Sequence, residues 1–77
     1  MVFEKVCEVI SSQLGISEEK IKMKTSFTDD LGADSLDIYQ VISELEEIFD
    51  LEFSNEDAEK IKVISDAVKY IEDRIED

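Results

Sequence analysis

The sequence lacks histidine, tryptophan and proline, and it has one cysteine among 77 residues. Without histidine, the chain has neither the commonest general base nor a favoured metal ligand, so we expect neither catalysis nor a metal site. Cys7 cannot form an internal disulfide, and we expect a buried, inert thiol in a cytoplasmic protein. Long apolar runs are also missing, and Glu4 and Glu8 follow the first residue closely. We therefore expect no signal peptide and no membrane span.

Basic residues are scarce. The chain has 21 Asp and Glu residues against 8 Lys and Arg residues, which gives a net charge of -13. Such a charge excludes nucleic acid and anionic membranes as partners and favours basic proteins. The stretch 25–59 contains 12 of the acidic residues and none of the basic ones. We interpret this stretch as an electrostatic docking surface on a single domain, residues 1–77.

Apolar residues at intervals of three and four predict an all-α fold, a small four-helix bundle. Gly15 is typical of a helix end, and Ser54 with Asp57 three residues later is typical of a capping box. The pattern predicts a first helix over residues 2–14 and a second from residue 35 or 36 to about 50. It also predicts a short third helix that opens at Ser54 and runs over Ala58 and Ile61, and a fourth over 64–75. A long loop then connects the first two helices.

The second helix has two distinct faces at 100 degrees per residue. One arc of about 120 degrees is apolar and is predicted to face the core: Ile38, Val41, Ile42, Leu45, Ile48 and Phe49. Beside it lies a polar stripe formed by Asp37, Gln40, Glu44 and Glu47, with Glu46 and Asp50 further round the helix. Leu36, Tyr39 and Ser43 fall outside the core arc, among the acids. We interpret Leu36 and Tyr39 as a small apolar contact patch next to Ser35.

Ser35 lies in the segment LGADSLD, between two aspartates at the predicted start of the second helix. It has no histidine or nearby lysine to serve as a base, so we exclude a nucleophilic role. Its hydroxyl could cap the helix, or it could carry a phosphate that the helix dipole favours. An EF-hand calcium loop is excluded, because Gly32 at loop position six puts Phe27 and Leu31 at positions that require acids. We interpret Ser35 as a site of covalent modification.

The segments GADSLD, LEEIFDLEF, EDAEKI and DAVKYI together resemble the acyl carrier protein of type II, dissociated fatty acid synthesis. The resemblance implies that Ser35 carries a 4'-phosphopantetheine arm, transferred from coenzyme A by a holo-carrier-protein synthase. Asp34 would help to bind the divalent metal that the synthase uses. The arm's thiol would hold growing fatty acyl chains as thioesters and move them between synthase enzymes. The protein would thus be a monomeric carrier and not an enzyme.

The resemblance also implies two surfaces. Basic patches of fatty acid synthesis enzymes and acyltransferases would contact a partner face formed by Leu36, Asp37, Tyr39, Gln40, Glu44, Glu46 and Glu47. An acyl pocket between the second and third helices would be lined by Ile42, Leu45, Phe53, Ala58, Ile61 and Ala67, with Tyr70 nearby. Gln40 replaces a common acid, Ser43 a common Met, and Phe53 a smaller aliphatic residue.

Two alternatives remain open at this level. Carriers of polyketide or aminoacyl units share the modified serine, so the motif does not encode the cargo. A non-carrier acidic adaptor would need no free hydroxyl at residue 35. Attachment of the arm to Ser35 distinguishes every carrier from the adaptor.

Overall fold

The computed structural model describes residues 2–75 and has four α-helices within that range. They are α1 (Val2–Leu14), α2 (Ser35–Phe49), α3 (Asn55–Glu59) and α4 (Ile64–Ile75), with one 3-10 turn at Glu18–Lys20. The predicted four-helix bundle, with its long first loop and short third helix, is confirmed. Ile61 was predicted to lie in the third helix, but α3 ends at Glu59. Gly15 ends α1 with a left-handed backbone (φ 68°), which glycine adopts without steric cost.

The core is formed mainly by α1, α2 and α4, with α1 packed on both of the others. Val6, Ile10, Leu45, Ile64 and Ile71 are completely buried. The predicted core arc of α2 is correct for Val41, Ile42 and Leu45, while Ile38 and Phe49 are half-buried. For Ile48 the prediction is wrong, because 42% of this residue is exposed. Ile48 lies at the edge of the arc, beside the polar Ser12 and Gln13 of α1.

The long loop between α1 and α2 is anchored at both its side chains and its backbone. Ile21 and Phe27 are buried in the core. The N–H of Phe27 donates to the carbonyl of Lys62 at 3.1 Å, and the N–H of Ile64 donates to the carbonyl of Thr25 at 2.9 Å. These bonds hold the loop against the connection between α3 and α4, so the loop presents the start of α2 in a defined position.

The composition predicted a buried Cys7 and no membrane span. Cys7 is buried in the core, and burial raises the pKa of its thiol. Over residues 2–75, no helix combines the length and the apolar character that crossing a membrane requires.

Candidate functional site

The loop before Ser35 is built from short-range hydrogen bonds. The N–H of Ser26 donates to Oδ2 of Asp30 at 2.7 Å, and the N–H of Ala33 donates to the carbonyl of Phe27 at 2.8 Å. Gly32 has a left-handed backbone (φ 69°), which lets the chain turn before α2 begins. Ala33 is buried. The chain therefore enters α2 through a hydrogen-bonded turn, with Ser35 as the first helical residue.

Asp34 caps the N-terminus of α2. Its Oδ1 accepts a hydrogen bond from the N–H of Asp37 at 2.9 Å, and Oδ2 of Asp37 accepts one from the N–H of Asp34 at 3.2 Å. Asp34 and Asp37 thus form a reciprocal capping box, and the helix end does not need the Ser35 side chain as a cap. The Ser35 hydroxyl is thereby left out of helix capping.

The Ser35 hydroxyl is exposed and makes no hydrogen bond with any other residue in the range 2–75. The Asp34 side chain accepts a hydrogen bond from the N–H of Asp37, and the Asp34 carbonyl accepts one from the N–H of Ile38. The positive end of the α2 dipole lies at Ser35, and a phosphate is stabilised at such a position. An accessible hydroxyl at a helix N-terminus thus fits the attachment of a phosphodiester.

A groove of about 680 Å³ lies directly beside Ser35. We call it the Ser35 groove, and it is lined by Ser26, Thr28, Asp29, Ser35, Ile38, Tyr39, Ala58, Glu59, Ile61, Lys62 and Val63. Two of the residues assigned to the acyl pocket, Ala58 and Ile61, line it. Four other lining residues were not predicted to belong to the site: Thr28, Asp29, Lys62 and Val63. They come from two loops, and the packing of loops leaves no periodic pattern in the sequence.

The other residues assigned to the acyl pocket lie outside the Ser35 groove. Ile42, Leu45 and Ala67 are buried in the core. Phe53 is half-buried and stacks on Tyr70 with ring centroids 4.1 Å apart. The Ser35 groove and the predicted acyl pocket therefore have Ala58 and Ile61 in common.

The residues assigned to the partner face lie on the outer side of α2. Leu36 is 71% exposed and Tyr39 is 45% exposed. Gln40, Glu44 and Glu47 are exposed as well. Across its 15 residues α2 has no basic residue, so this surface combines negative charge with two apolar side chains.

Two carboxylates of this face also have structural contacts. Oε2 of Glu46 accepts a hydrogen bond from the N–H of Phe53 at 2.8 Å, which ties α2 to the following loop. Asp37 belongs to the capping box. Glu44 and Glu47 have no such contact in the part of the chain that the structure describes, so their charges are free to meet a partner. In that same part, His, Cys, Asp and Glu form no cluster of three or more that could hold a metal ion.

Comparison with known proteins identifies the class of this site. Residues 4–71 match a family described as phosphopantetheine attachment site. The match spans the four helices up to Ile71 and includes Ser35. The chain therefore belongs to the phosphopantetheine attachment site family.

Two relatives narrow the class. The acyl carrier protein of Clostridium acetobutylicum is 54% identical over 77 residues, which is all of both chains. A putative acyl carrier protein from Mycobacterium tuberculosis has a solved structure with a TM-score of 0.83 and 35% identity, covering 90% of this chain and 92% of that one. The resemblance to acyl carrier proteins is confirmed.

Proposed function

We propose that this protein carries growing fatty acyl chains as thioesters on a 4'-phosphopantetheine arm attached to Ser35. When bound, the arm supplies the thiol that forms the thioester. The observation that carries the proposal is the exposed Ser35 hydroxyl, which has no partner in the described range and lies in a matched attachment-site domain. Chemistry on the cargo then belongs to partner enzymes, and this chain is not an enzyme.

The partners follow from the charge of α2. We assign the exposed side of this helix to basic patches on the holo-carrier-protein synthase, the fatty acid synthesis enzymes and acyltransferases. Leu36 would supply apolar contact next to the arm, and Asp34 would help to bind the synthase's divalent metal. The proposed setting is the cytoplasm, where the protein works as a monomer without nucleic acid.

Attachment is tested by intact mass after incubation with coenzyme A, a divalent metal and a carrier-protein synthase. The wild type is expected to gain one arm, and Ser35→Ala is expected to gain none. Ser43→Ala is the matched control, because Ser43 is also an exposed serine of α2. An adduct on Ser35→Ala, mapped to another residue, would overturn the site. Intact mass of protein purified from its native cells would then identify the cargo.

Docking is tested by measuring affinity for the synthase at low and high salt. Glu44→Gln combined with Glu47→Gln is expected to weaken binding at low salt and to reduce the salt dependence, because screening acts on exposed charge. Glu72→Gln combined with Asp73→Asn removes the same charge from α4 and should have little effect. Affinity that does not change with salt would contradict an electrostatic docking face.

A further inference from the structure

A second cleft lies on the loop that connects α1 to α2. It has a volume of about 950 Å³, and we call it the lysine cleft. Its lining consists of Ile16, Lys20, Lys22, Met23, Lys24, Thr25, Asp30 and Leu31. Three of the chain's 8 basic residues are thus gathered in one place, in a protein of net charge -13.

The three lysines have no ion-pair partner within residues 2–75. The apolar residues of the lining are Ile16, Met23 and Leu31, and Met23 is 38% exposed. Asp30 is the single carboxylate of the lining, and its Oδ2 already accepts the hydrogen bond from Ser26. The cleft therefore has three cations against one carboxylate, together with three apolar side chains.

The backbone under the lysines is well fixed. The N–H of Lys22 donates to Oγ1 of Thr25 at 2.8 Å, and Thr25 is buried. The carbonyl of Met23 accepts from the N–H of Ser65 at 2.9 Å, which joins the segment to the start of α4. The lysine side chains thus extend from an ordered support, which lowers the entropy lost when they bind an anion.

The lysine cleft lies within reach of Ser35. Leu31 lines the cleft and is four residues before Ser35, so their Cα atoms are at most about 14 Å apart. The phosphopantetheine arm has about fourteen bonds from the serine oxygen to its sulfur, which gives a reach of about 16 Å at the length per bond of an extended backbone. A group attached to the thiol can therefore reach the cleft.

From this placement we propose that the lysine cleft binds the free carboxylate of acyl groups that end in one. This inference rests on the proposed attachment of the arm to Ser35. The Ser35 groove suits such a cargo poorly, because a carboxylate there would meet the acids Asp29 and Glu59 with only Lys62 to offset them. In the lysine cleft the same carboxylate meets three cations against the single acid Asp30, and the methylenes can contact the apolar side chains of the lining. The lysine cleft and the Ser35 groove, which are both lined in part by the loop between α1 and α2, would thus separate cargo by the chemistry of its far end.

The test uses apo-protein labelled with nitrogen-15 and loaded by the synthase from acyl-coenzyme A. Chains of equal carbon number are compared, ending either in a carboxylate or in a methyl group, and intact mass confirms loading. We expect the carboxylate series to shift the amide signals of Lys22, Met23, Lys24 and Leu31, and high salt to remove these shifts. We expect the methyl series to leave these signals unchanged and to shift those of Ala58 and Ile61.

Two variants with the same total charge test whether the carboxylate-dependent shifts need the lysines of the cleft. The cleft variant replaces Lys20, Lys22 and Lys24 with Gln, and the control replaces Lys5, Lys60 and Lys69 with Gln. Loss of the carboxylate-dependent shifts of Met23 and Leu31 in the cleft variant alone supports the proposal. Equal shifts in both variants, or shifts confined to the Ser35 groove, overturn it. Loaded protein without these shifts overturns this inference alone, whereas failure of the arm to attach overturns the proposed function.

Discussion

The helices α2 and α3 both line the Ser35 groove, but different forces hold them. The longer helix, α2, buries Val41, Ile42 and Leu45 and packs along α1. The five-residue α3 has one buried residue, Ala58. Burial of large apolar side chains stabilises α2 by several kcal/mol, whereas α3 gains little from this source. The two sides of the groove should therefore differ in how easily they move.

Polar and ring contacts hold α3 to α4. Oδ2 of Asp57 accepts hydrogen bonds from the hydroxyls of Ser54 and Tyr70, each at 2.9 Å, and lies 3.9 Å from Arg74. The Tyr70 hydroxyl also contacts the carbonyl of Glu52 at 3.0 Å. The guanidinium of Arg74 lies 4.0 Å above the ring of Tyr70, which Phe53 stacks against from the loop before α3. Because these contacts are near the surface, α3 can separate from α4 at modest cost while α2 stays in place.

The largest expected effect comes from removing a core side chain of α2. Leu45 is completely buried, so Leu45→Ala should lower the free energy of unfolding by about 2 to 5 kcal/mol. Urea denaturation followed by circular dichroism measures this. The control is Glu44→Ala, an exposed neighbour that should change stability by less than about 0.5 kcal/mol. If Leu45→Ala lowered the free energy of unfolding as little as Glu44→Ala does, burial of apolar side chains would not be what holds α2 more firmly than α3.

This contrast shows which parts of the molecule the sequence predicts. The helices and the buried face of α2 follow from spacing, because a regular helix converts sequence intervals directly into faces. Ile48 is the exception. A helical wheel gives the direction of a side chain around the helix axis, but it does not show whether another helix packs against that direction. Ser35 and the acidic outer face are also visible in the sequence. The contacts of Tyr70 with Asp57 and Glu52 are not, because they join residues 13 and 18 positions apart and depend on tertiary packing.

A smaller effect is expected at the N-terminus of α2. Asp34→Ala removes the side chain that accepts from the N–H of Asp37, so it should cost about 0.5 to 2 kcal/mol in the free energy of unfolding. Ser35→Ala is the control and should change stability by less than about 0.5 kcal/mol, because its hydroxyl takes no part in the cap. Urea midpoints compare the two. A larger loss for Ser35→Ala than for Asp34→Ala would contradict the capping assignment.

The contacts between α3 and α4 are tested by Tyr70→Phe, which keeps the aromatic stack and removes the hydroxyl. Loss of its hydrogen bonds should favour opening of α3 by about 0.5 to 1.5 kcal/mol. Amide hydrogen exchange at Ala58 and Lys60 should then become roughly two- to tenfold faster, while exchange at Leu45 stays unchanged.

The matched control is Tyr39→Phe. Tyr39 is exposed, and its hydroxyl has no hydrogen-bond partner among the residues described. Tyr39 lines the Ser35 groove together with Ala58 and Glu59 of α3, so a general effect of losing a tyrosine hydroxyl beside α3 would appear in this variant too. Faster exchange throughout the chain in Tyr70→Phe would indicate that α3 does not open separately from α2.

The smallest expected effect is a pH dependence confined to α3. Hydrogen bonds from Ser54 and Tyr70, with a weaker contribution from Arg74 and Lys60, hold the pKa of Asp57 below its ordinary value of 3.8. A lowered pKa in the folded state means that the stabilisation is complete above the ordinary value and is lost as the pH falls through the lowered one. Acid should therefore release α3 while the core of α2 remains folded.

Carbon-13 NMR of the Asp57 carboxyl measures this directly, with the amide signals of Ala58 and Lys60 as reporters of α3. Removing the Ser54 hydroxyl with Ser54→Ala should raise the pKa of Asp57 further than Tyr70→Phe does, since the Ser54 hydrogen bond is the largest cause of the shift. Asp57→Asn should abolish the α3 titration. If the Ala58 signal still titrated in Asp57→Asn, another carboxylate would control α3. If α2 signals moved at the same pH, acid would act on the whole bundle, and the distinction between the two sides of the Ser35 groove would fail.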